Sequence, residues 1–360
     1  MRTKLLMFLL AVALTAPSVV PAEAAQTSRK AIWGPISVNG RSQFPLYRDL
    51  GVGIYEVVLH WADVAPQRPA HPASPTDSAY RWPAELDQAV RQARRYHMRV
   101  SIQILGAPRW ANGGQPSNWA PHRPSDFATF VAAAARRYPS VHLWMVWGEP
   151  SRVGNFAPLT PAPPGQPLTR QQAAAPRRYA RLLDAAYGAL KRVSRANVVI
   201  GGNTFTVGDI STLQWIENMR LPTGRPPRLD LYGHNPFSGR EPNLLNGPSP
   251  SGAVDFSDLG RLGGWIDRYL GKPHGRPIRL FLSEFAIPTA PGDREFNFYV
   301  DPSIQARWIS SAFRIVRGSS RIYTLGWIHF YDDPPGGIST AGLLDYRGQK
   351  KPGYFAFRSG

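Results

Sequence analysis

The strongest constraint on the fold is an alternation of short apolar runs with helical stretches along most of the chain. Eight runs have the length of strands, and most are rich in Val, Ile, Leu and aromatic residues, which is typical of strands buried on both faces. They cover residues 31–37, 53–60, 99–105, 141–147, 197–203, 229–234, 278–285 and 322–330. Such a regular alternation predicts a parallel sheet whose strands are joined by helices.

The segments between these runs carry the periodicity of amphipathic helices. The clearest is 83–97, with an apolar stripe that begins at Leu86 and ends at Ala93. The other helices are expected at 125–138, 177–194, 210–219, 259–270 and 303–316, and the first connection, near 45–50, is short. Eight strand–helix units over about 330 residues predict an α/β fold, a single (β/α)8 TIM barrel. The rival is a doubly wound open sheet, but the Gly-rich turn expected after its early strand is absent from the sequence.

The first residues have the composition of an export signal. Arg2 and Lys4 precede an apolar run at 5–14, and Ala22-Glu23-Ala24 places small residues at both positions that a signal peptidase reads. The apolar run is shorter than the roughly 20 residues of a membrane-spanning helix. We therefore predict a signal peptide at residues 1–24, followed by one catalytic domain at 25–360 that is secreted and has no stable membrane insertion. An uncleaved anchor is the alternative.

Composition narrows the chemistry and the partners. The absence of cysteine excludes a disulfide scaffold, a thiol nucleophile and a cysteine-ligated metal. Lys and Arg number 42 against 24 Asp and Glu, a formal net charge of +18; without residues 1–24 the difference is 40 − 23 = +17. This excess favours an acidic partner. Because the chain is expected to be exported, we predict an acidic cell-envelope polymer rather than nucleic acid, or an Arg-rich exterior with no partner.

Two carboxylates stand where a barrel places its active site, at the carboxyl ends of strands. Glu149 follows the fourth apolar run and Glu284 lies at the end of the seventh. Each comes after a nearly uncharged stretch, where an acid is unfavourable without a partner or a task. Strands four and seven face each other across a barrel mouth. Glycoside hydrolysis uses such a pair, one acid protonated and one ionised.

Other catalytic signatures do not occur in the sequence. It has neither a G-x-S-x-G nucleophile elbow nor an H-E-x-x-H zinc helix. The chemistry of two carboxylates requires no cofactor and no metal, so none is predicted. Two long loops, 157–167 and 238–257, each follow a strand and are expected on the catalytic face, where they would shape the cleft.

The order and spacing of four short segments resemble clan A of the glycoside hydrolases, the retaining (β/α)8 enzymes that include cellulases, β-xylosidases and α-iduronidases. The matching segments are Trp61-Ala62-Asp63-Val64, Ala107-Pro108-Arg109-Trp110-Ala111, Trp147-Gly148-Glu149-Pro150 and Leu282-Ser283-Glu284-Phe285. The resemblance covers residues 31–357. It implies a β-linked carbohydrate substrate, with Glu149 as the acid/base and Glu284 as the nucleophile.

The resemblance also implies substrate contacts from other strand ends. His234, at the end of strand six, would orient the nucleophile, and Trp327 on strand eight would stack on a sugar ring. By the alternation of strand side chains, Trp327, His329 and Tyr331 share one face. The remaining expected substrate contacts are Trp61, Trp110, Trp147, Asn203 and Tyr331. Core packing is the competing interpretation for Trp327, and a structural hydrogen-bonding role is the competing one for Asn203 and His234.

Two positions depart from the pattern of the clan. Gly148 stands where the clan has an Asn that binds the sugar 2-hydroxyl, and Glu56 occupies the stretch of strand two where an Arg is common. Asn203 is the expected substitute for the missing amide. These departures keep two further hypotheses open: a carbohydrate-binding barrel with weak or no catalysis, and a binder of acidic polymer.

Overall fold

Eight parallel strands close into a barrel in which each strand pairs with its sequence neighbours and the last pairs with the first. The computed structural model describes residues 27–360, so the predicted signal peptide lies outside the described residues. In chain order, β1 to β8 are Thr27–Trp33, Val52–His60, Arg99–Leu105, Leu143–Val146, Val198–Phe205, Leu231–Asn235, Arg279–Phe285 and Ile322–Trp327. The predicted (β/α)8 fold is confirmed.

Each strand is followed by a helix on the outside of the barrel. In chain order, α1 to α8 are Phe44–Asp49, Ala84–Arg95, Pro124–Arg137, Ala174–Val193, Thr212–Asn218, Leu259–Tyr269, Pro302–Gly318 and Pro352–Ser359. Shorter elements complete the connections: single helical turns at Trp61–Val64 and Arg109–Asn112, 3-10 turns at Pro250–Gly252, Phe256–Asp258 and Pro273–Gly275, and a hairpin of Ser37–Val38 with Arg41–Ser42. Within residues 27–360, the helices are too short or too polar to cross a membrane.

Alternating strand side chains separate two hydrophobic cores. The barrel interior is filled by a small cluster of residues from six strands: Ala31, Ile54, Leu143, Met145, Ile200, Leu231 and Phe281. The outward side chains pack against the helices in a much larger cluster, to which Trp144 of β4 belongs. The strand period of two therefore directs each strand to both cores.

Most strand bounds lie within two residues of the predicted ones, but the first and last strands differ more. β1 begins at Thr27 rather than at residue 31, since backbone pairing with β2 starts among residues that are not apolar. β8 ends at Trp327 rather than at residue 330, and His329 has a left-handed φ of 67°. The alternation does not continue past Trp327, so the prediction that Trp327, His329 and Tyr331 share one face is wrong.

A register shift changes the direction of side chains at the end of β7. Leu282 pairs with Leu325 and Phe285 pairs with Trp327, so β7 contains one residue more than β8 over this step. A bulge of this kind lets two consecutive residues face the same side of a sheet. Ser283 and Glu284 occupy this step, and both reach the inside of the barrel.

A second shift lies in β5, where Gly201 pairs with Tyr232 and Thr204 pairs with His234. The extra residue is accommodated by left-handed backbone at Gly202, with φ 89°, and at Asn203, with φ 46°. Gly202 leaves no room for a side chain, because a Cβ there would lie 2.4 Å from the Tyr232 ring. The bulge places the Asn203 amide against the end of β4.

Candidate active site

Glu149 lies just beyond the carboxyl end of β4, and hydrogen-bond donors surround its carboxylate. Arg152 Nη1 lies 2.6 Å and Asn155 Nδ2 3.2 Å from Oε2, and Asn235 Nδ2 lies 2.9 Å from Oε1. The residue is only 8% exposed. Hydrogen bonds from a cation and two amides stabilise an ionised carboxylate. In this structure Glu149 is therefore an ion-paired acceptor.

The backbone that presents Glu149 is held in an unusual conformation. Trp147 and Glu149 have left-handed φ values of 65° and 43°, which are uncommon for residues other than glycine. Asn203 Nδ2 donates to the carbonyls of Val146, at 3.0 Å, and Trp147, at 2.7 Å. The Trp147 indole donates to the Asn155 carbonyl at 2.7 Å. Such backbone persists where its surroundings fix it, as these three hydrogen bonds do.

Glu284 reaches the same cleft from β7, where it is partly exposed. Burial raises the pKa of the Glu284 carboxyl, and the charges of Glu149 and Glu295 raise it further. The Asn235 amide and the Arg152 guanidinium act in the opposite direction. Asn235 thus interacts with both carboxyls: its amide donates to Glu149 and lowers the pKa of Glu284.

Glu56 lies inside the barrel next to the end of β7 and is 1% exposed. Ser283 Oγ donates to its Oε2 at 2.8 Å, and its Oε1 has no hydrogen-bond partner among the described residues. Burial raises the pKa of Glu56 well above its usual range, and the charge of Glu284 adds to this. Gly326 leaves room for the Glu56 carboxyl, because a Cβ at position 326 would lie 2.5 Å from Glu56 Oε1. A buried acid with a raised pKa therefore stands where the resemblance implies an Arg.

Two cavities meet at the carboxylate pair, and both are lined by Glu149 and Glu284. The larger, of about 650 Å³, includes Glu295 and four phenylalanines: Phe205, Phe237, Phe296 and Phe298. The smaller, of about 280 Å³, is more polar and is lined by side chains that include His60, Gln103, Asn118 and Asn155. A ligand whose cleavable bond lies over the two carboxyls would extend into one cavity on each side of that bond.

Gln103 explains how the site accommodates Gly148. A Cβ at position 148 would lie 3.1 Å from Gln103 Oε1 and 3.2 Å from its Nε2, closer than nearly all real contacts of this kind. The β3 side chain therefore takes the space that an Asn at 148 would need. Gln103 is buried, lines the smaller cavity and brings an amide to it.

His234 does not orient Glu284 in this structure. Thr204 Oγ1 lies 2.9 Å from Nδ1 and the Val254 carbonyl 2.9 Å from Nε2, so both ring nitrogens are engaged on the far side of β6. Burial lowers the pKa of His234 to about 4, which leaves the ring neutral. Because successive strand residues face opposite sides, Asn235 is the β6 residue that reaches the carboxylates.

The predicted aromatic contacts lie largely in the core. Trp61 is fully buried against Trp110, and Trp327, 1% exposed, donates its indole N–H to the Ala341 carbonyl. Trp147 borders the smaller cavity although it is 2% exposed. Tyr331 donates to Gln43 Oε1 at 2.6 Å, away from the two cavities. Trp327 packs in the core, and Asn203 makes structural hydrogen bonds. For both residues, the competing interpretation therefore describes the side chain in this structure.

Several residues of the site were not predicted. Arg152 and Asn155 lie three and six positions after Glu149, and their place in the loop beyond strand four could have identified them. Asn235 adjoins the predicted His234. Glu295, Phe296 and Phe298 lie in the loop after β7, which has no recognisable sequence signal for a cleft, whereas Phe205 ends β5 and Phe237 follows β6.

The fold and the site define a class of protein: a (β/α)8 barrel that presents two interacting carboxylates beyond β4 and at the end of β7. Neither a protein-family model nor a curated protein sequence matches the chain.

Solved structures that share this fold include glycoside hydrolases. A family 39 glycoside hydrolase from Bacteroides cellulosilyticus WH2 superposes with a TM-score of 0.65 at 18% identity, over 94% of this chain and 64% of that one. A glucosidase from Croceicoccus marinus gives 0.64 at 15% identity, over 93% and 67%. A monomeric beta-xylosidase from Caulobacter crescentus CB15 gives 0.56 at 16%, over 88% and 62%. The chain thus spans about two thirds of these proteins, and the resemblance to clan A is confirmed for the fold.

Proposed function

We propose that the protein is a secreted retaining glycoside hydrolase that acts on O-glycosidic bonds of a β-linked oligo- or polysaccharide. The observation that carries this proposal is the pair of carboxylates from β4 and β7, which interact with one amide, that of Asn235, where two cavities meet. The glucosidase and the beta-xylosidase that share this fold support the same class of reaction.

The proposed reaction is a double displacement. A carboxylate oxygen of Glu284 attacks the anomeric carbon, the glycosidic C–O bond breaks, and Glu149 gives its proton to the leaving oxygen. Glu149 then takes a proton from water, whose oxygen attacks the anomeric carbon and displaces Glu284. The active form therefore has one proton on the pair, held by Glu149.

Without substrate, Glu149 is paired with Arg152, and burial together with the charges of Glu149 and Glu295 raises the pKa of Glu284 to about 8. The Arg152 side chain is 44% exposed and can leave Glu149 when a sugar enters. Its departure would let Glu149 carry the proton that the first step of the reaction requires. The amide of Gln103, in the smaller cavity, would replace the clan's Asn as the group that binds a sugar hydroxyl.

Activity on aryl β-glycosides and β-linked polysaccharides tests the proposal. Glu284→Ala and Glu149→Ala should each lower kcat/KM by roughly a thousandfold or more, with Glu85→Ala, an exposed acid on α2, as the matched control. The first product should keep the β configuration, which NMR during early turnover detects. Turnover like that of the wild type in Glu284→Ala, or an α-configured first product, would overturn the mechanism.

The second candidate is a barrel that binds carbohydrate with little or no catalysis. It is favoured by Glu56, a buried acid with a raised pKa where an Arg is common, and by the Arg152 ion pair on Glu149. The ion pair opposes protonation of Glu149, which the first step of the reaction requires. Binding of a glycan in the cleft without release of reducing sugar, over a full pH range, would select this candidate.

A further inference from the structure

A groove of about 540 Å³ lies on the outside of the barrel, between α4 and the segment after α5, and arginines dominate its lining. Five guanidinium groups line it, from Arg170, Arg177, Arg178, Arg181 and Arg220. The other lining residues are small or apolar, and none of the residues lining it is acidic or aromatic. We call this feature the arginine groove. It shares no residue with the two cavities of the carboxylate site.

The arrangement of these arginines is unfavourable for the isolated fold. Arg177, Arg178 and Arg181 are one, three or four positions apart on α4, and like charges separated by three or four residues destabilise a helix. Arg177 and Arg181 are exposed, whereas Arg178 is partly buried. Burial lowers the pKa of the Arg178 guanidinium, and the charge of Arg181 lowers it further. A bound anion would relieve this repulsion.

Counter-ions are present elsewhere on α4 but not here. Asp184, one turn further along the helix, is paired with Arg228 at 2.8 Å, and Lys191 is paired with Asp230 at 2.8 Å. Within residues 27–360, no carboxylate lies within 4.0 Å of a guanidinium nitrogen of Arg177, Arg178 or Arg181. The charges of Arg177, Arg178 and Arg181 are therefore available to a ligand, whereas the charge of Glu217 acts on Arg220.

One wall of the groove is fixed before any ligand arrives. Arg220 Nη1 donates to the carbonyls of Ile216, at 3.3 Å, and Met219, at 2.9 Å, at the end of α5. Both bonds use Nη1, so Nε and Nη2 of Arg220 take no part in them. A guanidinium that is already positioned loses less conformational entropy when it binds carboxylate or sulfate, and such pairs can be bidentate.

We propose that the arginine groove is a binding site for an acidic polysaccharide, whose carboxylate or sulfate groups pair with these guanidinium groups. Five arginines line one cavity of the surface, which suits a linear polymer with repeated negative charges. Proteins that bind single-stranded nucleic acid add aromatic side chains on which bases stack, and the lining offers none. The site would hold the protein on an acidic glycan independently of any reaction in the cleft.

The test is the binding of fluorescently labelled oligogalacturonate to the full chain at low and moderate salt. Arg177→Gln combined with Arg181→Gln should raise the Kd at least tenfold and make its salt dependence shallower. The matched control is Arg91→Gln combined with Arg94→Gln, which removes the same charge from exposed positions of α2. The control should change the Kd less than twofold, and turnover of neutral aryl glycosides, where present, should be equal in both variants.

Three outcomes would overturn the proposal. The first is no binding of oligogalacturonate by the wild type at low salt. The second is an equal loss of affinity in both double variants, which would show a general effect of net charge. The third is tighter binding of a single-stranded DNA of equal charge that is lost only in the groove variant, which would make the groove a nucleic-acid site. Circular dichroism of each variant checks that the fold is intact.

Discussion

At the scale of single residues, Glu56 is the departure with the clearest physical consequence. It is buried, it accepts one hydrogen bond from Ser283, and burial raises its pKa well above the usual range. An Arg at this position would lower the pKa of a neighbouring nucleophile, whereas the charge of Glu284 raises the pKa of Glu56.

The first prediction concerns the pH dependence of stability in Glu56→Gln. A folded pKa above the unfolded value means that the folded chain holds the proton longer, so the wild type loses stability as pH rises above about 4.5. The free energy of unfolding then falls by up to about 1.4 kcal/mol per pH unit, until the pH reaches the pKa of Glu56 in the folded chain. Glutamine cannot ionise, so Glu56→Gln should be close to the wild type at pH 5 and increasingly more stable by comparison at pH 7 and 9.

Urea unfolding at these three pH values measures the difference. Glu284 is present in both proteins, so the difference reports the ionisation of Glu56 together with its interaction with Glu284. Glu85→Gln on α2, where the acid is exposed, serves as the control and should track the wild type at every pH. A difference between Glu56→Gln and the wild type that does not change with pH would show that Glu56 is ionised in the fold.

The sequence could identify Glu149 and Glu284 because both lie at the carboxyl ends of apolar runs. It could not decide between His234 and Asn235, since one residue of register determines which side chain faces the mouth. It also could not reveal that Gln103, within β3, fills the space beside Gly148. Such contacts depend on neighbours that are far apart in the chain.

At the scale of elements, α4 fixes the strand ends that carry the site. The Tyr179 hydroxyl donates to the Val146 carbonyl at 2.9 Å and accepts from the Gly202 N–H at 2.9 Å. The helix thereby joins the end of β4 to the bulge of β5, which holds Asn203 against β4. The left-handed backbone of Trp147 and Glu149 begins directly after this point.

The second prediction is that Tyr179→Phe destabilises the protein by about 1–3 kcal/mol, because the buried Gly202 N–H loses its partner. The Val146 carbonyl keeps its bond from Asn203, which limits the loss. Urea unfolding with an unchanged m-value measures it. The control is Tyr299→Phe, since Tyr299 is 56% exposed and should lose less than about 0.5 kcal/mol. Equal midpoints for the two variants would contradict a structural role of the hydroxyl.

The strands could be placed from apolar runs because each faces two cores. The runs could not predict the bulges in β5 and β7, which arise from pairing between strands rather than from local composition. They also extended the last strand beyond Trp327, because Ile328 and Phe330 continue the apolar run while the backbone turns at His329. Apolar runs in the sequence thus locate the strands, whereas contacts with distant parts of the chain determine where each strand ends.

At the scale of the whole molecule, the excess of basic residues is not distributed evenly. Among the residues that line the two cavities, Arg152 is the single guanidinium, against Glu149, Glu284 and Glu295. The arginine groove, by contrast, is lined without any acid. An acidic polymer is therefore expected to bind the groove rather than the cleft. Under the proposed function, the glycan that enters the cleft is then expected to be neutral, with acidic material bound on the outside.

The last prediction concerns export of the whole chain. The signal is expected to end at Ala24, and the first described element, β1, begins at Thr27, so cleavage there would remove none of the barrel. Protein recovered from the periplasm or medium of an expressing bacterium should have a mass that corresponds to a chain starting at Ala25. Its urea midpoint should equal that of a chain produced without residues 1–24.

Ala24→Arg is the matched variant, because a large charged residue directly before the cut is not accepted by signal peptidase. It should remain with the membrane fraction at its full mass, while the same protein without residues 1–24 should stay in the cytoplasm with an intact fold. Since the barrel contains its complete set of eight paired strands from Thr27 onward, processing should change location and leave stability the same. Recovery of the wild type at full mass in the membrane fraction would instead favour an uncleaved anchor.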